Sequence, residues 1–75
     1  MNTLSEVSIG NRVRISAIDG DDAISIRLME MGLLPGIEIL LIGSAPLGDP
    51  IEIELRGYRL SLRRSEAARV EVEST

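Results

Sequence analysis

The chain has 75 residues, with twelve acids against eight bases and a net charge of −4 at pH 7. It contains no Cys and no His, which excludes disulfide staples, thiolate or imidazole metal sites, and the usual nucleophile and base pairs of covalent catalysis. The acidic balance repels phosphate backbones, so no nucleic-acid partner is expected. No uncharged stretch is long enough to cross a bilayer, so no membrane insertion is expected either.

With 44% hydrophobic residues but a single aromatic, Tyr58, the core must be built from Ile, Leu, Val and Met. One domain over residues 1–75, soluble and cytoplasmic, is the expected organisation, and its stability is modest because a chain this short buries only about 60% of its unfolded surface. All eight bases are Arg, a side chain suited to bidentate pairs with carboxylates.

Val13, Ile15 and Ala17 alternate with Arg12, Arg14 and Ser16, the period of a strand with one buried face. Asp19-Gly20-Asp21-Asp22 ends that strand, and an Asp there can cap a following helix. The helix is expected over residues 22 to 32, with Ile24, Leu28 and Met31 on its core face and Ile26, Arg27 and Met29 outside it. Gly32 is placed as its stop, with a turn at Pro35-Gly36 beyond.

The period returns to two at Ile37, Ile39 and Leu41, whose opposite face of Glu38, Leu40 and Ile42 is unusually apolar. After a loop containing Pro46, Leu47, Gly48, Asp49 and Pro50, the runs 51–55 and 58–63 are expected to form a hairpin around Arg56-Gly57. That turn pairs Leu55 with Tyr58, Ile53 with Leu60 and Ile51 with Leu62, all inward, while Glu54 faces Arg59 outside. Gly57 supplies the positive φ that such a turn requires. Ser65 reads as the cap of one helical turn, and Val70-Glu71-Val72 as a last strand. About five short strands with one inserted helix make a mainly β fold, either a small closed barrel or an open sheet covered by the helix.

Asp19, Asp21 and Asp22 offer hard oxygen ligands for a divalent cation. A capping turn explains them better, and no metal or other cofactor is expected. Leu47, in a loop stiffened by Pro46 and Pro50, is a candidate anchor for a partner, with Asp49 beside it. Arg27 acting on a partner's nucleotide is a weaker reading than a solvated helix face.

The segment Leu28-Met29-Glu30-Met31-Gly32-Leu33-Leu34-Pro35-Gly36, followed by Ala45-Pro46-Leu47-Gly48-Asp49-Pro50 and Gly57-Tyr58-Arg59-Leu60-Ser61-Leu62-Arg63, resembles the FeoA family of ferrous iron transport accessory proteins. The structural positions of that pattern are Leu28, Met31, Gly32, Pro35, Gly36, Pro46, Gly48, Pro50 and Gly57. The resemblance implies a small SH3-like β-barrel with an inserted α-helix, not an enzyme, acting in the cytoplasm on the cytosolic GTP-binding domain of the membrane ferrous iron transporter. Ile26, Arg27, Met29, Leu47 and Asp49 are the expected partner-binding residues, with a weak homo-oligomer as a further expected contact. The alternatives are an iron carrier or metal-binding regulatory domain, or a stand-alone relative of the SH3-like domain of iron-dependent repressors. No helix-turn-helix segment accompanies the module here, so a repressor role is not expected.

Overall fold

The structure, a computed structural model, describes residues 2–75. In chain order it contains β1 (Asn2–Thr3), a 3-10 turn (Leu4–Glu6), β2 (Arg12–Ile18), α1 (Ala23–Glu30), β3 (Glu38–Ser44), β4 (Ile51–Leu55), β5 (Tyr58–Leu62), α2 (Arg64–Ala67) and β6 (Val70–Ser74). The strands form one sheet in the order β1-β6-β2-β3-β4-β5, every neighbouring pair antiparallel. The mainly β fold with an inserted helix is as expected. Among the described residues there are six strands against the expected five or so, and no ladder joins β5 to β1, so the sheet is curled without being closed.

The core is aliphatic, as composition requires. Ile15, Leu28, Leu33, Ile39, Ile51, Ile53, Leu55, Leu62 and Val70 are all buried in one cluster. Leu4 joins them with 0% exposure, a role the sequence pattern did not assign. It sits in a 3-10 turn whose entry is held by the Thr3 N–H donating to Glu6 Oε1 at 2.8 Å.

Two strands depart from strict alternation. In β2 the register shifts between Ile15 and Ala17, a bulge that leaves Ala17 half-buried and brings Ile18 against the core. In β3 it shifts between Leu41 and Gly43, so Ile42 is half-buried rather than fully outward. Bulges of this kind bend a strand and increase its twist, which is how so short a sheet curls around one core.

The hairpin register is the expected one: Ile51 opposite Leu62, Ile53 opposite Leu60, Glu54 opposite Arg59, Leu55 opposite Tyr58. Arg56 and Gly57 both have positive φ, 51° and 84°, the conformation of a type I′ turn. Tyr58 does not point into the core as expected: it is 42% exposed, because its hydroxyl reaches out to donate to the Met31 carbonyl at 2.7 Å. The predicted cap of α2 is also corrected. Ser65 lies within the helix and is exposed. The capping acceptor is Glu66, whose Oε1 takes the Arg63 N–H at 3.0 Å, a longer side chain folding back from the third helical position.

Gly57 has open space around its α-carbon, so replacing it strains the backbone alone. Gly32 has φ +101°, and a β-carbon there would lie 2.5 Å from the Tyr58 hydroxyl oxygen. Gly57→Val should therefore cost at least about 1 kcal/mol, and Gly32→Ala more than the backbone strain alone. Part of the Gly32→Ala cost should vanish when Tyr58 is also changed to Phe. Denaturant titrations of that four-member cycle check it, and a coupling near zero would show that the hydroxyl does not crowd Gly32.

Candidate docking surface

Helix α1 is the insert between β2 and β3, and its start is built on one carboxylate. Asp22 occupies the N-cap position with its Oδ1 accepting the Ser25 N–H at 3.2 Å, while the Ser25 hydroxyl donates to the Asp22 carbonyl at 2.8 Å. With its hydroxyl satisfied, Ser25 is fully buried and lets the helix approach the sheet closely. The buried face is consequently Ser25 and Leu28, flanked by the half-buried Met31. Ile24, assigned to the core by its spacing, is 38% exposed. The helix is rotated by one residue toward the smaller side chain.

At the other end Gly32 donates to the Met29 carbonyl at 3.0 Å and Leu33 to the Leu28 carbonyl at 3.2 Å. This is a Schellman termination, with Gly32 in the left-handed conformation and Leu33 buried beyond it. Pro35 and Gly36 turn the chain into β3, closed by Ile37 N–H on the Leu34 carbonyl at 3.1 Å.

This geometry leaves Ile26 (49% exposed) and Met29 (36%) on the outer side of α1, as expected. Arg27 lies on that helix too, but its guanidinium is paired with Glu66 of α2. That pair ties α1 to α2. From α2, Arg64 reaches the 45–50 loop: its Nε donates to the Gly48 carbonyl at 2.5 Å and its N–H to Asp49 Oδ1 at 3.0 Å. The loop is closed on itself, with Gly48 N–H donating to the Ala45 carbonyl at 2.7 Å and Ala45 N–H to the Pro50 carbonyl at 2.9 Å. Pro46 sits at the turn position where its fixed φ suits the bend. At the tip stands Leu47, 97% exposed.

Thus the expected contact residues fall on two elements bordering α2, Ile26, Arg27 and Met29 on one and Leu47 and Asp49 on the other. Two of the five are already engaged within the fold: Arg27 with Glu66, and Asp49 with the Arg64 backbone. A shallow cleft lies beside the loop, lined by Asp49, Pro50 and Arg63.

Of the three aspartates, Asp22 has its side chain engaged within the fold. Asp22 Oδ1 also accepts from Arg69 at 2.5 Å, and Arg69 with the Ser25 N–H holds this carboxyl at about 2, below its ordinary 3.8. Among the described residues, no group of three or more acids is arranged to hold a metal ion. The residues sequence reasoning missed are Arg64 and Glu66, which carry no periodic signal and become visible only when the loop and the two helices are brought together.

A curled antiparallel sheet with an aliphatic core and one helix inserted between its second and third strands defines a small SH3-like domain. A family model described as "FeoA domain" matches residues 2–74, and the chain belongs to that family. The FeoA-like protein of Clostridium acetobutylicum superposes with a TM-score of 0.90 at 44% identity, covering 96% of this chain and 84% of that one. FeoA from Stenotrophomonas maltophilia, a procaryotic SH3 domain protein solved in complex with zinc, superposes at 0.86 with 32% identity, covering 97% and 91%. A fusion of Fe(2+) transport protein A with the Fe(2+) transporter FeoB in Porphyromonas gingivalis is 39% identical over 70 residues. Those residues are 93% of this chain and 8% of the fusion protein, so the chain spans a small part of that curated relative's length.

Because the native carboxyl of Asp22 ionises more readily than its unfolded form, its stabilisation is fully present above pH 4 and is lost as the pH falls toward 2. Asp22→Asn keeps a capping acceptor but removes the charge. Melting temperatures measured between pH 5 and pH 2 should fall less steeply for Asp22→Asn than for the parent chain. Parallel curves would show that the Arg69 pair contributes nothing to the acid sensitivity.

Proposed function

We propose that this domain is an accessory protein of ferrous iron uptake that docks on the cytosolic GTP-binding part of the membrane transporter and modulates it. The observation that carries this reading is the fusion of the homologous segment to FeoB in the Porphyromonas gingivalis relative. Fusion gives two modules a permanently high effective concentration, which serves partners that work in contact. Among the described residues no helix is long and apolar enough to cross a membrane, so a transporter would supply the spanning segments.

The docking surface in this reading is the belt around α2. Ile26 and Met29 are apolar side chains left outside the core, and Met adapts to a partner's contours. Leu47 projects from a loop closed by its own backbone bonds, so little freedom is lost when it is gripped. Arg27 contributes as the charged border of the patch, held by Glu66. A cytoplasmic location follows from this partner.

Changing Ile26, Met29 and Leu47 together to Ser should leave the circular dichroism spectrum intact and sharply reduce co-purification with the transporter. Undiminished co-purification of the folded variant would remove these residues from the interface. Calorimetry separates this reading from an iron-carrier role: under anaerobic conditions ferrous iron should release little heat from the isolated chain, since Asp22 is engaged by Arg69 and the Ser25 N–H. Stoichiometric binding abolished by Asp21→Asn with Asp22→Asn would favour the carrier instead.

A further inference from the structure

The last strand added to the sheet, β5, has a ladder on one side only. Its phase is set by the turn. A two-residue type I′ connection makes Leu55 and Tyr58 the pair that exchanges both backbone bonds, so Tyr58, Leu60 and Leu62 turn their N–H and C=O groups toward β4. Those of Arg59 and Ser61 point the other way. Among the described residues nothing bonds the backbone of either. The free stretch ends at Arg63, whose N–H is taken by Glu66.

The charged side chains carried by this strand and its two ends are all arginine, with Glu66 and Asp49 next to them only at the Arg63 end. Arg56, Arg59 and Arg63 are exposed, and none forms an ion pair among the described residues. Arg59 stands opposite Glu54 in register without closing a salt bridge. In a chain of net charge −4, three unpaired arginines along one strand edge form a local basic field.

We propose that the β5 edge receives an extended acidic segment of a partner as an added strand, independently of the α1 and Leu47 surface. Backbone bonds from Arg59 and Ser61 would supply pairing, and carboxylates spaced four residues apart would meet Arg59 and Arg63 on the outer face. Strand β4 already shows the complementary pattern on the other side of β5: Ile51-Glu52-Ile53-Glu54-Leu55 alternates apolar residues inward with acids outward. A second copy of this chain is a poor occupant. Antiparallel pairing of two β5 strands would bring arginines of both copies together, a common way of keeping edges apart.

The test uses isotope-labelled protein and the palindromic peptide acetyl-Glu-Val-Thr-Val-Glu-amide, followed by amide NMR. Saturable shifts and slowed hydrogen exchange at Arg59 and Ser61 are expected, and none with Lys in place of both Glu. Ser61→Pro deletes an edge N–H without touching the β4 ladder and should abolish the shifts in a folded protein. If that variant fails to fold, Arg59→Glu with Arg63→Glu decides: it should lose the acidic peptide and take the Lys peptide. Unmoved Arg59 and Ser61 amides, shifts confined to α1, or protection that grows with protein concentration in the absence of peptide would each overturn the proposal, the last in favour of self-pairing.

Discussion

A curled sheet whose two ends are not paired has to be held shut by something other than a ladder, and here a single arginine spans the gap. Arg64 opens α2, the helix that carries the chain from β5 at one end of the sheet to β6 near the other. Its Nη1 donates to the Ser5 carbonyl in the 3-10 turn at 2.8 Å, its Nε to the Gly48 carbonyl, and its backbone N–H to Asp49. Three segments distant in sequence therefore meet on one residue. A planar fork with several fixed donors can satisfy separate carbonyls at once, whereas the point charge of a lysine has no such geometry. Beneath it Leu4, Ala67 and Val70 are all fully buried, so the polar bracket lies over apolar contacts that close the core.

What could be read from the sequence follows from where periodicity is strong. The β4–β5 hairpin was legible to the residue because alternation on both strands and the Arg56-Gly57 turn demand the same register. The stop of α1 was legible because only a residue tolerant of positive φ fits after Met31. The inner face of α1 is not legible in the same way, since hydropathy prefers Ile24 to Ser25 at a buried position. The Asp22 carbonyl that satisfies the Ser25 hydroxyl reverses that preference locally. β1 and the 3-10 turn leave no mark in the sequence, because two and three residues are too few to carry a period. Alternation puts Tyr58 inside, yet it turns outward to a backbone carbonyl that only the folded chain brings near.

The candidate surface was legible in part for the same reason. An apolar residue with no place in a predicted core, such as Ile26 or Met29, is visible in a helical projection, and both are exposed. Charged residues are different. Arg27 and Asp49 look like free contact groups in the sequence, yet each has a partner inside the fold. Long-range ion pairs such as Arg27 with Glu66 join positions 39 residues apart, and no local pattern announces them. The unpaired arginines on and beside β5 are visible in the sequence only as a turn residue, Arg56, and as alternating strand positions, Arg59 and Arg63.

In the proposed docking, Arg64 also joins stability to recognition. The same side chain that bridges the seam fixes the Gly48 carbonyl, one residue from the nearly fully exposed Leu47. A partner that grips Leu47 therefore holds the loop in the position that Arg64 requires, and through Arg64 it supports the contact with Ser5 across the open side of the sheet. Binding to the native state alone adds to its stability by mass action, and in a domain this small, with a thin margin to begin with, that addition is a large share of the total. The loop is then more than a lip beside the core: its Leu47 side chain lies outside the fold, while its backbone belongs to the bracket that keeps the fold closed.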